Sequence, residues 1–245
     1  MADRRPTRAM VLAAGLGVRL RPVTLTLPKP LVTVAGRPLI DGVLDRLAEA
    51  GVEEAVVNTH HLGALLEQHL SLRQRPRVRF SPETVLLETG GGVANALAHL
   101  GPRPFYVVNG DVLWRDGGTP ALLRLAHAWD EQEMDALLLL HPTATAIGYH
   151  GHGDFVMDQV GRLRRRREAE VVPFLFAGIQ ILHPRLFEDA PAGSFSLNRL
   201  YDAAISASRL RGLRHDGEWY HVGTPQELAA VEAALAEGSE SLTGE

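Results

Sequence analysis

The sequence predicts an α/β fold in which a parallel or mixed sheet is covered by helices. Short apolar runs alternate with amphipathic stretches from residue 8 to residue 140, and this alternation is typical of strands connected by helices. Two of the apolar runs end at glycine-containing turns, Gly15-Leu16-Gly17 and Asn109-Gly110. Because ligands bind beyond the carboxyl ends of the strands in such sheets, we expect the functional site at these turns.

The expected elements follow from the length and spacing of the apolar residues. Short apolar runs predict strands, and apolar positions that repeat on one helical face predict helices. In the first half, strands are expected at 8–13, 54–59, 77–80, 104–109 and 136–140, and helices at 39–50, 62–70, 91–99 and 120–130. In the less regular second half, strands are expected at 153–160, 174–182, 209–214 and 219–222, and helices at 196–207 and 225–236. The segment 236–245 is expected to be a flexible tail.

The composition is that of a globular protein and excludes several functional classes. Of the 245 residues, 45% are hydrophobic and 22% are charged, which is ordinary for a folded domain. The net charge of −4 and the aromatic content of 6% disfavour a nucleic-acid or anionic-membrane partner. The sequence has no cysteine, which excludes thiolate chemistry and disulfides. It has neither a membrane-spanning apolar run nor an apolar signal segment, so a cytoplasmic location is expected.

The stretch from Met10 to Pro38 predicts a binding site for a polyphosphate. A strand that ends in a glycine-rich turn leaves backbone N–H groups unpaired and pointing in one direction, which favours anion binding. Arg19 and Lys29 add a forked and a point-like cation to this turn, and the prolines on either side of Lys29 restrict its backbone. The spacing fits neither a P-loop nor a dinucleotide fingerprint, and a Gly-x-Gly turn by itself is also a common structural turn.

The same stretch resembles the signature of the sugar-1-phosphate nucleotidyltransferases, roughly LAAGxGxRLxPxTxxxPKPLxxVxGxP, from Leu12 to Pro38. Later segments resemble further motifs of that family in the family's order: VVNTHHL around Asn58, LETGGG at 87–92, NGD at 109–111, FAG at 176–178 and WYHVGTP at 219–225. The resemblance covers about residues 8–235. It implies one Rossmann-like, glycosyltransferase-A type domain over 1–235, with a central mixed, mainly parallel sheet. The nucleotide-binding half is expected at about 8–115 and the sugar-binding half at about 116–225.

The resemblance implies nucleotidyl transfer, in which an oxygen of a sugar 1-phosphate attacks the α-phosphorus of a nucleoside triphosphate and pyrophosphate leaves. No protein nucleophile is needed, so we expect catalysis to come chiefly from alignment and charge stabilisation. Arg19 is expected to neutralise the departing pyrophosphate, and Lys29 to bridge the α-phosphate and the incoming phosphate. The residues expected to bind the nucleotide are Ala13, Ala14, Gly15, Gly17, Arg19, Lys29, Glu88, Thr89, Gly90 and Gly91.

Asp111 is the expected ligand of Mg²⁺, because it follows an apolar strand at an Asn-Gly turn and so emerges at the carboxyl edge of the sheet. The alternative for this residue is a turn-capping role. His221 stands where the family commonly places a second metal-binding aspartate, and histidine suits Mn²⁺ better than Mg²⁺. Its role stays open between a metal ligand, a direct phosphate contact and a structural histidine in a site without the second metal.

Asn109, Gly178 and Asn198 are the residues expected near the sugar hydroxyls. The sequence ETGGG, in place of the more usual LGTAG, resembles together with NTHHL the N-acetylmuramate-1-phosphate uridylyltransferases of peptidoglycan recycling. This implies UTP and N-acetylmuramate 1-phosphate as substrates, whereas the mannose-1-phosphate guanylyltransferases share much of the pattern and remain an alternative. The run Arg162–Arg167 is either a source of a cation for the lactyl carboxylate of N-acetylmuramate or a solvated charged face.

A protein of another class, a non-catalytic subunit that senses nucleotide sugars, also remains open because His221 departs from the family pattern. Arg19, Lys29 and Asp111 together favour the enzyme, since a sensor does not need both phosphate cations and the metal carboxylate. The sequence has no recognisable interface signature. It leaves the oligomeric state open and is compatible with a monomer.

Overall fold

The computed structural model describes residues 5–240 of the chain, with side chains as far as residue 237. The strands in this part of the chain are β1 (Arg8–Leu12), β2 (Thr33–Val34), β3 (Arg37–Pro38), β4 (Glu54–Thr59), β5 (Arg77–Pro82), β6 (Phe105–Asn109), β7 (Leu113–Arg115), β8 (Ala136–Pro142), β9 (Phe155–Met157), β10 (Leu163–Arg165), β11 (Phe174–Leu182), β12 (Leu210–Arg214) and β13 (Glu218–Tyr220). The α-helices are α1 (Leu39–Glu49), α2 (Gly63–Leu70), α3 (Glu88–Leu100), α4 (Ala121–Ala128), α5 (Asn198–Ser206) and α6 (Pro225–Glu240). Among these helices none is both long enough and apolar enough to cross a membrane.

The main sheet is mixed, and helices cover both of its faces. β6, β1, β4 and β5 pair in parallel, and β11 joins β6 in the antiparallel direction, with β8 and then β12 on its other edge. Successive residues of a strand point to opposite faces. Val11 and Val57 therefore pack in the core that includes α1, α2 and α4, whereas Met10 and Val56 pack in the core that includes α3 and α5. The predicted α/β fold is confirmed.

The β9–β10 hairpin pairs with the start of β11 and lies beyond the carboxyl end of β6. Residues Ile179–Leu182 of β11 pair with β6, whereas Phe174, at the other end of β11, pairs with Phe155 of β9. β8 occupies the opposite edge at both ends of β11, so β9 and its partner β10 lie on the same edge as β6 and beyond its last residue. This places the hairpin on the side of the sheet where the site was expected.

The last two elements, β13 and α6, pack against elements from the first half of the chain. β13 pairs antiparallel with β7, so that Trp219 lies opposite Trp114. α6 packs through Val231 in a small core that contains Leu20 and Val34. Residues from both ends of the sequence therefore meet beside the expected phosphate site.

Most observed boundaries lie within two residues of the expected ones, and three larger differences concern α3, α6 and β9. α3 begins at Glu88, so the glycines of ETGGG lie in the start of the helix and not in a turn before residue 91. α6 runs to Glu240, so the segment expected to be a tail from residue 236 begins within this helix, and residues 241–245 lie outside the described part of the chain. The strand expected at 153–160 is confined to β9 and turns back into β10.

Candidate active site

A phosphate-sized cleft lies beyond the carboxyl ends of β1 and β6. Its volume is about 250 Å³. It is lined by Leu12, Ala13, Gly15, Gly17, Val18, Arg19, Lys29, Pro30, Asp111 and Gly223. Three segments that are far apart in the sequence thus meet here: the glycine turn with its two cations, the NGD turn and the VGTP turn.

The glycine turn is shaped by close contacts of its backbone. Gly17 has a positive φ of 60°, and a Cβ atom on it would lie 2.9 Å from a side-chain carbon of Thr24 and 3.2 Å from Cβ of Lys29. The Thr24 hydroxyl also donates a 2.8 Å hydrogen bond to the Gly17 carbonyl. A Cβ on Gly15, in contrast, would meet nothing within 4 Å. Gly17 is therefore needed for the turn itself, whereas Gly15 leaves space open in the cleft.

Lys29 and Asp111 form an ion pair inside this cleft. The Lys29 Nζ atom lies 2.6 Å from Oδ2 of Asp111, and the two side chains are 16% and 31% exposed. Asp111 is brought there by Gly110, whose N–H donates a 2.8 Å hydrogen bond to the carbonyl of Leu12. A Cβ on Gly110 would lie 3.2 Å from the same carbonyl oxygen, so a small residue suits this close approach of the chain to β1.

His221 lies beside the same group of charges. Its N–H donates a 2.8 Å hydrogen bond to the carbonyl of Ile147, and its Nε2 atom is 3.6 Å from a carboxylate oxygen of Glu227. Burial lowers the pKa of His221, and Glu227 partly opposes this shift, whereas Arg19 and Lys29 add to it. A pKa below the usual value favours the neutral imidazole, which has a nitrogen lone pair to offer.

A buried polar network holds the start of the glycine turn. The sequence reasoning gave Asn58 no role in the site and included Glu83 only as the start of the loop expected beside the base, residues 83–92. The Asn58 side-chain oxygen accepts a 2.7 Å hydrogen bond from the N–H of Ala13, and its amide group donates one of 2.7 Å to Glu83. The other oxygen of Glu83 accepts from the N–H of Leu87 at 2.9 Å. Asn58 is near the end of β4 and Glu83 directly follows β5, and these positions are the signal that could have identified them.

The glycines of ETGGG serve close packing within the protein. The N–H groups of Gly90 and Gly91 donate to the carbonyl of Phe195 at 2.8 and 3.1 Å. A Cβ on Gly90 would lie 2.3 Å from the Phe195 ring, and one on Gly91 would lie 2.4 Å from the carbonyl oxygen of Gly193. The segment before α5 thus packs onto the start of α3, which explains Gly90 and Gly91, whereas a Cβ on Gly92 would lie 2.8 Å from the side-chain nitrogen of Asn58. Close packing therefore accounts for three glycines in a helix despite their low helix propensity. Glu88, which is exposed, precedes them.

Two of the three residues expected near the sugar are in contact. Gly178 has a positive φ of 79°, and a Cβ on it would lie 2.8 Å from the side-chain nitrogen of Asn109. It lies where the pairing of β11 with β8 shifts register between Phe176 and Gln180. Asn198 begins α5 next to Leu197, whose N–H donates a 2.9 Å hydrogen bond to the hydroxyl of Thr89. No contact joins Asn198 to Asn109 among the described residues.

The arginine run is largely paired. Arg164 makes two hydrogen bonds with Glu170, of 2.8 and 2.7 Å. Arg165 makes an ion pair with Asp202 and donates from Nη2 to the carbonyl and the side-chain oxygen of Asn198, at 2.8 and 3.2 Å. Its guanidinium also lies over the rings of Phe155 and Tyr201, 5.4 and 5.9 Å from their centroids. Of the two, Arg165 is the one connected to a predicted sugar residue.

A larger concavity of about 1400 Å³ lies at the opposite edge of the sheet, where β1 begins. Two arginines in its wall, Arg185 and Arg209, both pair with Asp135. The one carboxylate therefore compensates part of their charge within the protein. This concavity is distant from the Lys29–Asp111 pair and does not contain any of the predicted site residues.

The fold and the cleft are those of an enzyme class that joins nucleotides to phosphorylated substrates, and the chain belongs to the nucleotidyl transferase family, whose model matches residues 8–238. The chain is 44% identical to the N-acetylmuramate alpha-1-phosphate uridylyltransferase of Caulobacter vibrioides over 95% of its length and 98% of that protein. It is 36% identical to the enzyme of the same name from Neisseria meningitidis serogroup B, over 92% of its length and 97% of that protein. The expected resemblance to sugar-1-phosphate nucleotidyltransferases is confirmed.

The fold is also that of a solved UDP-glucose pyrophosphorylase in complex with UDP-glucose. The two structures superpose with a TM-score of 0.75 over 94% of this chain and 98% of the other, at 18% identity. At this identity the likeness concerns the fold.

Proposed function

We propose that this protein transfers a uridylyl group from UTP to N-acetylmuramate 1-phosphate, releasing pyrophosphate and forming UDP-N-acetylmuramate. The observation that carries the proposal is the convergence of Arg19, Lys29 and Asp111 in one cleft beyond the carboxyl ends of β1 and β6. The two relatives named for this reaction, which align with nearly the whole chain, support the choice of base and sugar.

In the proposed reaction, a phosphate oxygen of the sugar 1-phosphate forms a bond to the α-phosphorus of UTP, and the bond from that phosphorus to the bridging oxygen of the β-phosphate breaks. The electron pair leaves with pyrophosphate. Arg19, at the mouth of the glycine turn, neutralises the pyrophosphate, and Lys29 lies where it can contact the α-phosphate and the incoming phosphate. The reaction needs no protein nucleophile, so these cations act by lowering the energy of developing negative charge.

The residues present fit a divalent cation that is completed by substrate. Mg²⁺ commonly binds one or two carboxylates together with substrate phosphates and water, and Asp111 offers one partly exposed carboxylate in the cleft. Within residues 5–240 no group of three or more His, Asp or Glu side chains is placed to hold a metal by itself. When bound, Mg²⁺ supplies charge neutralisation on the phosphates. Asp111 would hold it, and His221 is the nearby candidate for a second ligand.

The Lys29–Asp111 pair has a role in this scheme. While the cleft is without substrate, Asp111 compensates the charge of the lysine, which is 16% exposed. Asp111 would hold the cation, and the ammonium group of Lys29 would then take a phosphate oxygen as its partner in place of the carboxylate. The ammonium group of Lys29 and the carboxylate of Asp111 would thus both become available, the first to bind phosphate and the second to bind the metal.

We assign the nucleotide to the side of the cleft formed by the turn after β1 and the start of α3. Ala13, Ala14, Gly15 and Gly17 would contact the triphosphate and base through their backbone. The residues of α3 that would contribute are Glu88, Thr89, Gly90 and Gly91. Because the N–H groups of the two glycines already bond to Phe195, we expect them to act by placing this segment close to the base and not by donating to it.

We assign the sugar to the neighbouring side, where Asn109 meets Gly178 and the β9–β10 hairpin stands above them. Arg165 is the residue that we assign to the lactyl carboxylate of N-acetylmuramate. It is held over two aromatic rings and tied to Asn198, so its guanidinium is fixed in place before a substrate binds. Location in the cytoplasm, where UTP is available, and a place in peptidoglycan recycling follow from this choice of substrates.

The test is pyrophosphate release from UTP, GTP, ATP, CTP and dTTP, each with the 1-phosphates of N-acetylmuramate, N-acetylglucosamine, glucose and mannose. Highest turnover with UTP and N-acetylmuramate 1-phosphate is the expected result. A preference for GTP and mannose 1-phosphate would overturn the proposed substrates but keep the reaction class. No release with any pair, in either Mg²⁺ or Mn²⁺, would favour the nucleotide-sugar sensor.

A further inference from the structure

The indole of Trp219 lies between the sugar side and the phosphate side of the cleft. Its Nε1–H donates a 3.0 Å hydrogen bond to the carbonyl of Ala177, the residue before Gly178. Its ring stacks on His221, with centroids 5.8 Å apart and planes inclined by 24°. One buried side chain therefore contacts both the strand that carries Gly178 and the histidine beside the Lys29–Asp111 pair.

The hydrogen bond to Ala177 occurs at the irregular part of β11. The register between β11 and β8 shifts from Phe176 to Gln180, so the regular ladder is interrupted around Ala177 and Gly178. Trp219 donates to a carbonyl within this interruption. Gly178 adopts its positive φ directly after this carbonyl and contacts Asn109 there. The indole N–H thus stabilises the backbone conformation on which the contact between the two sugar-side residues depends.

Two further aromatic side chains, those of His141 and Tyr149, also pack against the ring of Trp219. His141 stacks on it at 6.3 Å and 27°, and the edge of Tyr149 packs against both Trp219 and His221, at 6.3 and 5.9 Å. His141 is 1% exposed, and its Nε2 atom lies 3.1 Å from the hydroxyl of Thr145. The indole is enclosed by these rings, so we expect a change in its shape to move His221.

We propose that Trp219 is a positioning residue of the nucleotidyl transfer: it sets the orientation of His221 at the phosphates and, through the carbonyl of Ala177, the position of Gly178 at the sugar. The proposal rests on the proposed reaction class, and it does not depend on which base or sugar is used. Because reacting groups must be aligned to within a fraction of an ångström, a residue that couples the two substrate sides affects rate without touching either substrate.

The alternative is that Trp219 is simply part of the hydrophobic core, and Trp114 offers a matched control. Trp114 lies opposite Trp219 in the β7–β13 pair and is as deeply buried. Its Nε1–H donates to Asp116, and Arg46 lies 4.6 Å from its ring centroid. Neither of these two contacts involves His221 or Ala177. Trp114→Phe therefore changes the core beside Trp219 but keeps the indole that donates to Ala177 and stacks on His221.

The experiment compares the full-length wild-type protein with Trp219→Phe, Trp219→Leu and Trp114→Phe, using whichever substrate pair the wild type turns over. Trp219→Phe keeps a stacked ring but loses the N–H donor, so we expect the KM for sugar 1-phosphate to rise about fivefold with little change in kcat. Trp219→Leu also loses the stacking on His221, and its kcat is expected to fall by about tenfold or more. The KM for the nucleoside triphosphate should change less than twofold in both, by the same argument.

A second readout covers the case in which Trp219→Leu does not fold. His141→Leu removes the ring behind Trp219, outside the cleft, and should lower kcat, whereas His141→Phe should restore it. Wild-type kinetics in both Trp219→Phe and His141→Leu would overturn the proposal. So would losses in Trp114→Phe equal to those in Trp219→Phe, because they would indicate a general effect of core stability. Wild-type turnover of another substrate pair would instead overturn only the proposed substrates.

Discussion

The ammonium group of Lys29 and the carboxylate of Asp111 are 2.6 Å apart, and this contact joins the glycine turn after β1 to the turn after β6. Lys29 is the only lysine among the 25 basic Lys and Arg residues of the sequence. A protein that uses arginine at all its other Lys or Arg positions thus has a point-like cation at the position that pairs with Asp111 in the cleft. The small, rotatable ammonium group can exchange a carboxylate for a phosphate oxygen without needing the fixed fork geometry of arginine.

Replacing Lys29 is expected to abolish most of the activity even when charge is kept. Lys29→Met should lower kcat by about 10²–10³-fold, the range seen when one group that stabilises transition-state charge is removed. Lys29→Arg should recover little of it, because the broad, forked guanidinium does not reproduce the point-like ammonium group that lies 2.6 Å from Asp111. Initial rates of pyrophosphate release provide the measurement, and a wild-type rate in Lys29→Arg would contradict it.

His221→Asp is expected to retain activity and to strengthen the response to Mg²⁺. An aspartate at this position offers a hard oxygen ligand to the same space in which the neutral imidazole now lies, and Mg²⁺ prefers oxygen. The measurement is the initial rate as a function of Mg²⁺ and of Mn²⁺ for both proteins. Complete inactivation of a variant that keeps its circular dichroism spectrum and melting temperature would exclude the metal-ligand role.

Arg165 is expected to determine the preference for an acidic sugar. Arg165→Met should lower kcat/KM for N-acetylmuramate 1-phosphate by about 10- to 100-fold, because a charge-assisted contact to the lactyl carboxylate is lost. It should leave kcat/KM for N-acetylglucosamine 1-phosphate nearly unchanged, since that sugar lacks the lactyl group. Arg164→Met is the matched control: both arginines are ion-paired, Arg164 with Glu170 and Arg165 with Asp202, but only Arg165 also bonds to the predicted sugar residue Asn198. An equal loss for both sugars in Arg165→Met would exclude this role.

His215 is expected to make the fold sensitive to acid. It is 1% exposed, and burial, with His141 nearby, lowers its pKa from 6.5 to about 4. Below pH 6.5 His215 is therefore protonated in the unfolded chain but stays neutral in the folded chain. The contribution of the neutral His215 to the free energy of unfolding is fully present above pH 6.5 and is lost as the pH falls toward 4. The loss is on the order of 2 kcal/mol after allowance for solvent screening.

The measurement for His215 is the free energy of unfolding in urea between pH 7.5 and 4.5. His215→Asn keeps an acceptor for the N–H of Gly217, which bonds to Nδ1 of His215 at 3.2 Å, but does not titrate. We expect a smaller decrease in stability for this variant than for the wild type. Parallel curves for the two proteins would show that His215 does not contribute to the acid sensitivity.

The parts of the fold that could be predicted are those where local pattern and tertiary structure agree. The apolar runs of β1, β4, β6 and β11 are buried by helices on both faces, so their positions follow from the sequence alone. The start of α3 could not be predicted, because glycines 90–92 suit a turn by propensity. Their helical conformation depends on the carbonyl of Phe195 and the closeness of Gly193, which are more than 100 residues away.

The site was predictable to a similar degree. Arg19, Lys29 and Asp111 were expected to meet because each follows a strand that ends at the same edge of the sheet, and they do line one cleft. Asn58 was not assigned, and Glu83 was included only as the start of the 83–92 loop, because their hydrogen bonds to the backbone of Ala13 and Leu87 leave no periodic pattern in the sequence. The ring contacts of Trp219 depend on three separate segments and could be recognised only in the structure.

Because β13 pairs with β7, a strand that is synthesised late in the chain helps to complete the cleft. The strand that carries Trp219 and leads to His221 and Gly223 is translated long after the glycine turn, yet it completes the wall of the cleft. A nascent chain that has not yet released β13 and α6 has its phosphate cations but an unfinished site. Copies that end before β13 lack this part of the wall and are accordingly expected to be inactive.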